Sequence, residues 1–181
     1  NLSDSVSSKI TAMHVTKNSL IVFKTRGIFL IKGDPVNGFF SQTLTTDIGC
    51  ESQETVNEVP GLGIVFLSND GVYVLEGALE NTGSQTRFVK LSQTLRSIFK
   101  RVNVEYARKF RSVVYQRDRE YWLSVCLDSE TVPSTILKFS YECGAWSIYE
   151  NFMTAGMVTT PDERGYLYSA GPSTDGTIAA K

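Results

Sequence analysis

Short runs of β-branched and aromatic residues, separated by turn residues, fill the first third of the chain. Residues 10–17 and 19–24 are two such runs, 28–31 is a third between Gly27 and Gly33, and 39–46 predicts a fourth. Lys17-Asn18, Arg26-Gly27, Gly33-Asp34-Pro35 and Asn37-Gly38 supply the turns between them. The next segment repeats the design. Leu20, Ile21, Val22 and Phe23 align with Ile64, Val65, Phe66 and Leu67, and Ile28 to Ile31 align with Val72 to Leu75. Gly27 falls on Gly71 and Gly33 on Gly77, at a constant offset of 44 residues. A period of about 40–50 residues with about four strands per unit is the pattern of β-propeller blades. The runs 28–31 and 72–75 are apolar without alternation, as expected of strands covered on both faces. Asp70-Gly71 between two apolar runs predicts a tight hairpin whose turn requires positive φ.

Later units drift. Residues 110–116 and 121–127 predict a hairpin across Arg117 to Glu120, and 135–141 with 145–149 predict another across Glu142-Cys143-Gly144. A last partial unit includes 155–159 and 165–168, with turn signals at Gly171-Pro172 and Asp175-Gly176. The expected fold is all-β: about four antiparallel four-stranded units, β-propeller-like blades, in a single domain over 1–181. The chain begins at Asn1 rather than Met. It reads as a processed product or as a piece of a longer chain, and its sheets as a four-bladed ring or an arc of a larger one. One short amphipathic helix interrupts the strands. Leu91, Leu95, Ile98, Phe99 and Val102 follow helical spacing, and Ser92 is the expected N-cap. A helix over about 92–102 would connect two sheets, with its basic residues either complementing the helix dipole or facing a partner.

Composition adds limits. The chain has 181 residues, 41% hydrophobic and 20% charged, enough for one domain with a core. No apolar run approaches the ~20 residues of a membrane helix, so no span is expected. A single histidine, His14, excludes sites built from several imidazoles. Cys50, Cys126 and Cys143 are too scattered for a zinc site or a disulfide framework, and no cofactor is expected.

Charge sharpens the picture more. The formal net charge is only −1, but residues 34–86 hold eight acidic and no basic residues, and 87–119 hold ten basic and two acidic. A stretch of −8 is therefore followed by one of +8. Such blocks suit a basic face meeting an acidic neighbour or a phosphate backbone, or they intermix on folding. The candidate basic residues for a subunit interface or for DNA are Arg96, Lys100, Arg101, Arg108, Lys109 and Arg111.

Candidates for chemistry are sparse. Asp47, Glu51, Glu54 and Glu58 surround Cys50. Paired carboxylates in such a run would serve glycoside hydrolysis if held at the right separation, and otherwise form a solvated loop. Ser68-Asn69-Asp70-Gly71, Asp162-Glu163-Arg164-Gly165 and Ser173-Thr174-Asp175-Gly176 read as turns. Gly61-Leu62-Gly63 lacks the third glycine of a dinucleotide fingerprint and precedes a strand. His14 falls within a strand, and Cys126 in an apolar strand reads as a core residue. Tyr121, Trp122 and Trp146 suit either a blade core or a sugar-binding surface. No active site emerges, and the expectation is a protein that is not an enzyme.

The order of these segments resembles a known family. Residues 10–15, Leu20 to Phe23, Gly27 to Ile31, Gly63 to Ser68 and Asp70 to Tyr73 are followed by the helix, then by Tyr121 to Leu123, Ile136 to Phe139 and Gly144 to Trp146. This resembles the β-propeller portion of the tail nozzle proteins of short-tailed bacteriophages, also called tail tubular protein B, and related phage DNA-stabilisation proteins. The resemblance implies a virion structural protein of the phage tail, assembled in the host cytoplasm. It implies a homo-oligomeric, sixfold ring that continues the DNA channel below the portal and its adaptor, with no catalytic residues. A channel should not grip DNA through many phosphate contacts, which accumulate affinity quickly. The basic stretch 87–119 is therefore expected at a subunit interface before the lumen, with non-specific contact to channel DNA as the remaining role. Segregated charge suits a cyclic, heterologous interface. The alternative from the residues alone is a β-propeller module that binds glycan or protein ligands.

Overall fold

A computed structural model describes residues 8–77, 86–159, 167–171 and 179–180. Their strands form four antiparallel sheets. The first contains β1 (Ile10–Val15), β2 (Ser19–Lys24), β3 (Ile28–Asp34) and β4 (Gly38–Thr45) in sequence order. The second contains β5 (Asn57–Val59), β6 (Gly63–Ser68), β7 (Gly71–Glu76) and β8 (Arg87–Lys90), and the third β9 (Ser112–Tyr115), β10 (Glu120–Val125), β11 (Thr135–Ser140) and β12 (Ala145–Tyr149). The fourth holds β13 (Gly156–Thr159), β14 (Leu167–Gly171) and β15 (Ala179–Ala180). Each sheet is a simple up-and-down meander, and the first strands β5, β9 and β13 lie against one another in succession. This is β-propeller-like architecture, as the 44-residue repeat predicts.

The repeat holds down to register. Leu20 pairs with Ile31 and Val22 with Phe29, and at the equivalent places Ile64 pairs with Leu75 and Phe66 with Tyr73. Alternate side chains of a strand point to opposite faces, so the central hairpin of the second sheet serves two seams. Ile21, Phe23, Ile28 and Leu30 of the first sheet pack on Ile64, Phe66 and Leu75 of the second. The Phe23 and Phe66 ring centroids are 5.1 Å apart. The opposite face of the second sheet, with Val65, Leu67, Val72 and Val74, packs on Tyr121, Leu123, Val125, Leu137 and Phe139 of the third. Burial on both faces explains why β6 and β7 read as continuous apolar runs.

The hairpin at Asp70-Gly71 forms, but Gly71 is not a central turn residue. Ser68 pairs with Gly71, so Asn69 and Asp70 make the turn. Gly71 is required for another reason: a Cβ there would run into Ser92 Oγ, at φ +154°.

The helix is shorter than its apolar spacing predicts. Only Arg96–Phe99 is α-helical, preceded by a 3₁₀ turn at Gln93–Leu95. Ser92 does not cap it. Its Oγ instead accepts a hydrogen bond from the Val72 N–H at 3.0 Å, tying the segment to β7. Leu95, Phe99 and Val102 still reach the core between the second and third sheets. Of the acidic run, Glu58 lies in β5 rather than in a loop. Residues 160–166 and 172–178, with two of the turn sequences above, lie outside the described residues.

Candidate functional site

The six candidate basic residues cluster by sequence, but the fold assigns them separate partners. Arg101 grips Asp128, Nη2 to Oδ2 at 2.6 Å and Nε to both oxygens at 3.1 Å. That hydrogen bond holds the Asp128 carboxyl below its ordinary range. Lys109 Nζ donates to the Thr131 carbonyl at 2.7 Å and lies 4.8 Å from the Tyr106 ring centroid. The Arg111 guanidinium donates to the carbonyls of Arg108 and Phe110. Arg96, Lys100 and Arg108 are exposed and engage no acidic partner among the described residues. The acidic and basic blocks largely stay apart. Lys90 to Asp70, at 2.6 Å, is the one ion pair among the described residues that joins the −8 stretch to the +8 stretch.

One cleft brings members of both blocks together. It has a volume of about 460 Å³ and lies between the start of β1, the 3₁₀ turn at Gln53–Thr55 and a 3₁₀ segment at Val104–Lys109. Lys9, Glu51, Gln53, Glu105 and Arg108 line it. Partial burial raises the Glu51 carboxyl pKa. The rest of the acidic run does not converge there: Asp47, Glu54 and Glu58 lie outside the lining. The fold thus does not bring the carboxylates of that run together in this cleft. The 3₁₀ turn is pinned rather than poised. Gln53 Oε1 accepts from the Met13 N–H at 2.7 Å, Ser112 Oγ donates to the Glu54 carbonyl at 2.8 Å, and the Tyr121 hydroxyl donates to the Thr55 carbonyl at 3.2 Å.

The other candidates have structural partners. Burial pushes the Cys50 and Cys126 thiols up to about 11, which keeps them protonated and unreactive at neutral pH. His14 Nε2 makes no hydrogen bond and sits 3.6 Å from Glu58 Oε2. Trp146 donates to the Leu91 carbonyl at 3.0 Å and tilts against Phe139, so it closes the edge of the core. Tyr121 is fully buried. Trp122 differs: it stacks on Tyr149 at 5.8 Å and 8°, and Lys138 bridges the pair while bonded to Glu120.

Neither a family model nor a curated protein matches the chain.

What individual motifs do not announce is a surface. Large exposed apolar residues gather on the first sheet and around 148–158: Met13, Val15, Phe39 and Phe40 at one end, Tyr149, Phe152, Met153 and Val158 at the other. The described residues of the second sheet contribute none. The signal was present in the repeat, since a central hairpin that is apolar on both faces needs a neighbour on each.

Proposed function

We propose that this protein acts by assembly, as a structural component of a phage tail nozzle. In this reading it builds part of an oligomeric ring that continues the DNA channel below the portal and adaptor. The observation that carries the reading is the exposure of large apolar side chains on the first sheet and from the last strand of the third sheet onward, with none on the described residues of the second sheet. Large apolar side chains left exposed in numbers are characteristic of surfaces covered by other protein. Two further features support it. The strand segments that resemble nozzle proteins fall on successive meanders in order. Arg96, Lys100 and Arg108 remain without acidic partners among the described residues and are available to a neighbouring subunit or to DNA.

Electron microscopy of the purified chain mixed with a short-tailed phage portal–adaptor complex tests the reading. Added ring density in line with the channel is expected. Bare portal–adaptor particles beside unbound chain would count against it.

The Trp122–Tyr149 stack favours a second reading, a module that binds glycan on an aromatic platform. In that case Trp122→Ala, rather than Trp146→Ala, abolishes binding on a glycan array.

A further inference from the structure

The internal repeat identifies what the open face of the first sheet is built to receive. In the second sheet, Ile64, Phe66, Tyr73 and Leu75 form the face that packs on the sheet before it. Their equivalents, 44 residues earlier, are Leu20, Val22, Phe29 and Ile31, with the same pairings. None of these four belongs to either buried cluster of the described residues; Leu20, Phe29 and Ile31 are only partly buried, while Val22, between its neighbours, is 3% exposed. Beside them on the same face lie Met13 and Val15, paired with Val22 and Leu20 and 53% and 75% exposed. The first sheet thus carries a second copy of a sheet-receiving face, with no sheet from the described residues seated on it.

The other end of the molecule has the complementary properties. Val158 in β13 is 59% exposed, although β13 packs beside β9 of the third sheet. Charge is opposed as well. Residues 8–33 contain five basic residues and no acidic one, whereas the described residues 142–159 contain two acidic and no basic. Two ends that are both apolar, opposite in charge and continuous with the sheet-on-sheet stacking inside the chain fit one another.

We propose that the first sheet's open face is a docking site for the fourth sheet of a second copy of this chain. The copies then join head to tail through a heterologous interface that extends the internal stacking. This rests on the assembly reading above and names the surface that performs it.

Val15→Glu and Val158→Glu each place a charge on one end only, at exposed positions that a folded single copy tolerates. Sedimentation velocity should show self-association of the native chain, weakened at least about tenfold in either variant. An equimolar mixture of the two variants should form a one-to-one dimer and nothing larger, because each retains one intact end. Circular dichroism establishes that both variants remain folded. A native chain that stays single at all accessible concentrations would overturn the proposal, since the face is then closed within one copy or reserved for another protein. Undiminished association in either variant, or a mixture that forms no dimer, would overturn it too. Failure of the chain to join a portal–adaptor complex while this pairing persists would defeat the tail reading and leave the docking site standing.

Discussion

Leu75 and Ile31 occupy the same place in the repeat and offer a controlled comparison. Each sits on the second strand of a central hairpin, and each pairs with the matching residue of the first strand. Leu75 is fully buried in the seam with Phe23 and Phe66, whereas Ile31 is only partly buried on the open face. Truncating a buried Leu removes its transfer free energy and leaves a cavity, so Leu75→Ala should cost about 3 kcal/mol. Ile31→Ala loses less buried area and leaves no enclosed cavity in a single copy, and should cost about 1 kcal/mol. Urea unfolding at low micromolar concentration reads the gap. With a slope of about 2 kcal/mol/M, the two midpoints should differ by about 1 M. Raising the protein concentration should enlarge the Ile31→Ala loss as the face becomes covered, and leave the Leu75→Ala loss unchanged. Equal losses at low concentration would show that both faces are covered within one copy and would refute the reasoning.

Other expectations follow from single sites. Gly71→Ala should destabilise by about 2 kcal/mol, because its Cβ would collide with Ser92 Oγ, and urea denaturation reads the loss. For Asp70, burial works to raise the pKa, but hydrogen bonds from Lys90 and Tyr73 outweigh it and the net shift is downward. A depressed folded pKa adds stability above the unfolded value near 3.9 that is lost as pH falls through the folded value. Asp70→Asn should therefore lower the melting temperature at pH 6, with the difference shrinking as acid protonates Asp70 in the native chain. A thiol reagent at pH 8 should modify exposed Cys143 within minutes and reach Cys50 and Cys126 only on unfolding.

The strand pattern was legible because both its signals are local. Turn residues mark hairpin ends, and uninterrupted apolar runs mark strands covered on two sides, so the 44-residue repeat carried even the register of β2–β3 onto β6–β7. The helix misled because Leu91, Leu95, Phe99 and Val102 show helical spacing while serving a connector. Ser92 spends its hydroxyl on the Val72 N–H, a contact 20 residues away that no cap rule anticipates. The basic cluster was legible as charge but not as a patch. Whether Arg101 meets Asp128 or Arg111 turns back on the chain depends on loop geometry, not spacing. Glu51 stood out only as one of an acidic run, and the fold alone separates it from Asp47, Glu54 and Glu58.

Hydrogen exchange measured across a range of protein concentrations tests the central claim, that the end sheets complete their packing on other copies. Association protects the segments whose opening it opposes. The amides of β2 and β3 in the first sheet should exchange more slowly as concentration rises, while those of β6 and β7, covered on both faces within one copy, should not change. Exchange in β2 and β3 that is independent of concentration would contradict the account.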